Sequence, residues 1–147
     1  MKAAFFVGRL IYGGFFVYSG IHHFQERKSI AQYASAKGVP LPEVAVTATG
    51  ALLVAGGTSI LLGVKPKFGT MAVMTFLAGV SPFMHDFWNA DDPNQKQNEA
   101  INFMKNMALL GGALALMGVK EPWPVSIPAG QPTTMDRVRR FAREIAA

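Results

Sequence analysis

Four stretches of about 20 residues, almost wholly apolar, govern what this chain can fold into. Residues 3–24 carry one charge, Arg9. Residues 43–63 are apolar after Glu43, residues 68–88 are uncharged until Asp86, and residues 100–119 hold Lys105 near their start. Each stretch is long enough to cross about 30 Å of hydrocarbon as a helix. Backbone in lipid must satisfy its own hydrogen bonds, and no strand-like alternation is present, so the expected class is all-α. The architecture expected is an integral membrane antiparallel four-helix bundle. Composition agrees: 50% of the residues are hydrophobic and only 16% are charged, against about 25% in soluble domains. Eleven Phe and eight Met oppose disorder. The absence of cysteine excludes a disulfide scaffold, thiolate metal or cluster ligation, and thiol catalysis by this chain.

The connections set the topology. The first span is expected to be a retained helix rather than a cleaved leader, because Arg9 interrupts it and no small-residue cleavage pattern follows. Residues 25–42 are long enough for a short interfacial helix ending near Gly38, Pro40 and Pro42. Residues 64–67 form a tight link that makes the second and third spans antiparallel neighbours, and residues 89–99 read as a polar, turn-rich loop. Residues 120–132 are rich in proline and predict an extended tether. Residues 133–147 predict a basic amphipathic helix, with Thr133 and Asp136 as a capping pair and Arg137, Arg139, Arg140 and Arg143 outside an apolar stripe. Such a helix would lie on the membrane surface.

The net charge of +5 follows this topology. Four spans put both termini and the 64–67 link on one side, with Lys2, Lys65, Lys67, Lys120 and the four tail arginines. The other side holds Arg27, Lys28, Lys37 and Lys96. This bias predicts cytoplasmic termini and leaves no nucleic-acid partner to invoke. Helix association in lipid depends on small residues. Gly13, Gly20, Gly50, Gly56, Gly57 and the Ala108–Gly112 pair supply them.

Ionisable residues within spans are functional candidates. Arg9 shares a helix face with Gly13, Phe16, Gly20 and His23. It either snorkels to phosphates or turns inward toward Thr58, Ser59 or Thr75. The outer ends of the spans gather His22, His23, His85, Asp86, Trp88, Glu99, Asn102, Lys105 and Asn106 near one membrane surface. If these converge, His23, His85, Asp86, Trp88, Lys105 and Asn106 form a binding pocket, with Lys105 paired to Asp86 or Glu99. His23, His85 and Asp86 suit metal ligation chemically, but their spacing follows no ligand motif, so no metal is assigned.

The start G-R-L-I-Y…Y-S-G-I-H-H, the M-H-D-F-W closing the third span and the N-F-M-K-N-M-A-L-L-G-G-A of the fourth resemble the DoxX family of small membrane proteins over roughly residues 5–118. Many relatives carry a glutamate in the middle of the second helix, where this chain reads A-L-L-V-A-G-G. The resemblance implies a redox-associated subunit of a bacterial cytoplasmic (inner) membrane, with a pocket for a quinone or a small sulfur species. Phe87, Trp88 and Phe103 would line it, and His23, His85 or Lys105 would donate to it. Lacking haem or flavin motifs and cysteine, such a subunit would rely on the quinone or on a membrane redox partner. The alternative is a non-catalytic scaffold, assembly factor or partner-binding subunit, including one that forms homo-oligomers.

Overall fold

The computed structural model describes residues 2–127, and among these it is helical with no strand. The expected tail helix 133–147 lies outside the described residues. Five helices follow one another: α1 (Lys2–Gln25), α2 (Arg27–Ala36), α3 (Pro42–Leu62), α4 (Pro66–Met84) and α5 (Pro93–Met117). A single 3-10 turn, Phe87–Asn89, joins the last two. α1, α3, α5 and the α4 segment extended to Asn89 are long and apolar enough to cross a membrane. The chain is an integral membrane protein, and α2 is the short helix expected in the first loop.

Local chemistry sets the helix boundaries. α3, α4 and α5 each begin with proline at the first turn, where its missing N–H costs nothing and its fixed φ suits the helix. α3 stops at Gly63, whose φ of 69° needs no Cβ to be avoided. Asp92 caps α5, accepting a 2.8 Å bond from the Gln95 N–H. That cap starts α5 at Pro93 rather than near Ala100. Residues 93–99, expected as loop, are helical, because Gln, Lys and Glu are good helix formers although they extend no apolar span.

α1 packs on α3, α3 on α4, and α4 on α5. Glycines set the spacing. A Cβ placed on Gly20 would lie 2.7 Å from the Gly50 carbonyl oxygen, and one on Gly57 would lie 2.7 Å from the Val17 nitrogen and 2.8 Å from the Gly13 oxygen. Gly56 meets the Gly69 backbone in the same way across α3 and α4, at 3.0 Å. α5 closes on α1 through Tyr12, whose hydroxyl donates to the Leu109 carbonyl at 2.7 Å while its ring edge lies against Gly112. The core comprises Phe16, Leu53, Ile60, Val73 and Leu77, joined by Trp123 from beyond α5. Ile11, Tyr18, Phe68, Phe83, Met104 and Leu114 are exposed, which is where lipid-facing side chains belong.

The proline-rich stretch, expected as an extended tether, is docked over its described part. Trp123 is only 2% exposed, and the Ile127 N–H donates to the Leu62 carbonyl at 3.1 Å.

Gly20→Ala and Gly57→Ala are predicted to force α1 and α3 apart and to cost about 1–3 kcal/mol each. Gly8→Ala and Gly111→Ala, where an added Cβ meets nothing within 4 Å, are predicted to be neutral or stabilising by up to about 1 kcal/mol. Unfolding of the full chain in mixed micelles measures both classes, and equal losses at all four positions would contradict the packing.

Candidate functional site

The end of the bundle away from the start of α1 holds two compartments, both built with α2. Ala31 and Ala34 bury one face of α2, which packs on α3. An exposed Arg27–Glu43 ion pair at 3.0 Å joins the starts of these two helices. Beyond Lys37, Gly38 takes a φ of 75° and turns the chain back toward Pro42.

Beneath α2 lies a cavity of about 390 Å³, walled by Ile30 and Ala34 of α2, Val46, Thr49 and Leu52 of α3, Phe76, Gly79, Val80 and Phe83 of α4, and His23 at the end of α1. The lining is apolar except for three side chains. His23 Nδ1 lies 2.7 Å from the Ser19 carbonyl oxygen. A carbonyl only accepts, so Nδ1 carries the proton and Nε2 of the neutral ring remains an acceptor. The Thr49 and Thr75 hydroxyls donate back to the Ala45 and Met71 carbonyls at 2.7 and 2.9 Å, which leaves their oxygens as acceptors. The cavity therefore offers apolar walls and an acceptor set.

Beside it, Glu99 of α5 is 7% exposed and takes three partners. His85 Nδ1, just past α4, lies 2.8 Å from Oε2. The Tyr33 hydroxyl donates to Oε1, and Lys37 Nζ stands 4.0 Å from the same oxygen. Lys37 also pairs with Asp86, which accepts from Asn89 Nδ2 at 3.1 Å. Burial first, then the hydrogen bond and charge of Glu99, then Asp86, raise the Tyr33 phenol above the ordinary tyrosine range. The network thus ties α2 to α4 and α5.

The sequence-predicted residues separate accordingly. His23 lines the cavity; His85 and Asp86 belong to the ionic network. Trp88 is half exposed and stacks edge-on with Phe87 and Phe103 at centroid distances of 5.1 and 5.9 Å. None of these three aromatic rings lines the cavity. The expected pairing of Lys105 is corrected. Lys105 is exposed and forms no ion pair among the described residues, and Lys37 takes its place. Lys105 follows Glu99 by six positions, which rotates it about 120° around α5 and away from Glu99's face. Asn106 is half-buried on α5 and is not part of the cavity wall. Tyr33 and Lys37 escaped the sequence reading; their i, i+4 spacing on α2 is the signal that could have found them. Arg9 turns inward, as one expectation held, but it bonds to none of Thr58, Ser59 and Thr75. Its guanidinium donates to the Pro124 and Val125 carbonyls at 3.0 and 2.8 Å and to Ser126 Oγ at 3.1 Å. Among the described residues no group of three or more His, Asp or Glu side chains gathers to hold a metal ion, and His23 stands apart from His85 and Asp86.

Four lipid-length helices and an apolar cavity roofed by a short helix define a small helical integral membrane protein. A family model described as DoxX matches residues 4–86, more than half of the 147-residue chain, from α1 to just past α4. The chain belongs to the DoxX family. The helix-five residues Phe103–Gly112 that also carry the resemblance lie beyond the matched region. Searches of curated proteins and of solved structures each gave no significant match.

Glu99→Ala would leave Lys37 and His85 without their shared carboxylate. It is predicted to cost about 3 kcal/mol, the lower end for breaking a buried pair, read as a fall in the micellar unfolding midpoint. The Tyr33 contribution has a definite sign. With its folded pKa raised, it is fully present below the ordinary phenol value and is lost as pH rises through the folded value. The stability gap between the native chain and Tyr33→Phe is therefore predicted to be constant near neutrality and to narrow under alkaline conditions. A gap that widens with pH would contradict the assignment.

Proposed function

We propose that the protein is a redox-associated membrane subunit that binds a quinone in its reduced, hydroquinone form in the cavity beneath α2. The observation that carries this reading is the chemistry of that cavity. A flat ring and prenyl chain suit apolar walls, and two phenolic hydroxyls suit a site offering acceptors, with His23 Nε2 the strongest base among them. Oxidation of a bound hydroquinone releases two protons with its two electrons; His23 Nε2 would take one, since its Nδ1 is already committed to Ser19, and the other would leave to water at the open side of the cavity. The electrons would pass to a membrane redox partner, because the chain has no cysteine and no flavin or haem motif. With cytoplasmic termini, as the Lys/Arg bias predicts, this end faces outward from a bacterial cytoplasmic membrane.

A small sulfur oxyanion is the weaker ligand. Lys105, the cation assigned to it from sequence, lies outside the cavity, and Lys37 is already paired. The scaffold reading is favoured by a different observation: the ionisable groups at this end, Lys37, Asp86, Glu99 and His85, satisfy one another, as a structural clasp would.

The test uses the full chain purified in mild detergent, with analysis of co-extracted quinones and equilibrium dialysis against a short-chain hydroquinone. Saturable binding is expected, weakened at least tenfold by His23→Ala and by Gly79→Phe. Gly79 lines the cavity, and an added Cβ there meets nothing within 4 Å, so the larger side chain can obstruct the site without disturbing helix packing. No co-purifying quinone and no saturable binding would overturn this reading in favour of the scaffold.

A further inference from the structure

Arg9 is 1% exposed, lies within a membrane-length helix, and takes part in neither the cavity nor the ionic network. Among the described residues it forms no ion pair. Nη1 donates to the Pro124 carbonyl and Ser126 Oγ, Nη2 donates to the Val125 carbonyl, and Nε has no partner. A buried guanidinium ordinarily meets a carboxylate in a two-pronged pair. This one meets main-chain oxygens instead.

We propose that the mouth between the start of α1 and the α3–α4 turn is a docking site for an irregular, turn-forming, proline-bearing backbone, that Arg9 is the group that recognises it, and that residues 121–127 occupy it in cis. Such backbone is suited to this role. Backbone interrupted by proline does not continue a helix, so the Pro124 and Val125 carbonyls are not spent on helix amides and are free to be taken by an external donor. The site also has an apolar anchor: Trp123 is buried and meets the Phe5 ring edge-on at 5.3 Å. Both ends of the segment are pinned to the turn region. The Glu121 carboxylate accepts the Lys67 N–H at 3.2 Å, and the Ile127 N–H donates to the Leu62 carbonyl at 3.1 Å.

The receiving surface is shaped for this occupant. A Cβ on Gly63 would lie 2.0 Å from Ser126 Oγ and 2.7 Å from Arg9 Nη1, so the turn leaves room for the segment only as glycine. Within the segment, Val125 holds a φ of 56°, a left-handed conformation that surroundings must impose on a β-branched residue. Gly63 also ends α3 in the left-handed region, so it is the Val125 conformation that a passive tether would not need. Docking also fixes the point beside Leu62 from which the chain beyond residue 127 departs.

The two tryptophans give a direct readout. In a Trp88→Phe background Trp123 is the sole emitter, and the full chain in nanodiscs is quenched with acrylamide. A shielded, blue-shifted Trp123 is expected. Arg9→Gln should raise the quenching constant several-fold and shift the emission to the red while far-ultraviolet circular dichroism keeps its helical signal. Gly63→Ala should do the same with the cation retained, and it decides the matter if Arg9→Gln fails to fold. Ready quenching of Trp123 in the parent chain would overturn the proposal. So would a Trp123 that stays shielded in both variants.

Discussion

Backbone contact between α1 and α3 sets which way Arg9 and His23 face. Lipid gives helices no hydrophobic reason to associate, so the pair is held by close packing, which the glycines at 13, 20, 50 and 57 permit. Gly13 and Gly20 are two turns apart on one face of α1, and that same face carries Arg9 one turn before the first and His23 one turn after the second. Once the glycines meet α3, Arg9 must face inward at the terminal end and His23 at the other, about 21 Å away along the helix. The two candidate residues therefore serve two separate places rather than one site.

At the far end, α2 separates charge from the cavity. Lys37, Asp86, Glu99, His85 and Tyr33 consume one another's hydrogen-bonding capacity. Charges near hydrocarbon are tolerated when paired in this way. The cavity beside them keeps only weak, undirected acceptors and one imidazole nitrogen. A cavity of this kind would discriminate by shape and by proton donors, not by net charge.

Much of this was legible in the residues. Span length and composition gave the helical membrane class, and helical spacing put Arg9, Gly13, Phe16, Gly20 and His23 on one face. The loop between the first two long helices was long enough to announce α2. What stayed hidden were the partners. Lys105 and Glu99 lie within two turns of each other on α5, but separation along an axis says nothing about rotation around it, and the start of α5 at Pro93 depends on a local cap at Asp92. Lys37 read as a loop charge because its pairing arises only when α2, packed on α3, brings its end within side-chain reach of Asp86 and Glu99. The stretch after α5 read as a tether because proline content reports stiffness and not attachment.

The docking of the described part of that stretch has a physical cause at the Arg9 end of the bundle. A cation buried in an apolar helix must find acceptors, since leaving it unpaired costs on the order of 2.5–3.5 kcal/mol on insertion scales. Most helix carbonyls are unavailable, because each is spent on the amide four residues later. Acceptors must come from a carboxylate or from backbone that is not helical. No carboxylate lies at Arg9's depth in the first three spans. Pro124 cannot donate and does not continue a helix, so the carbonyls around it remain unspent. Proline content and the buried arginine are two halves of one requirement, met where Pro124, Val125 and Ser126 reach the guanidinium.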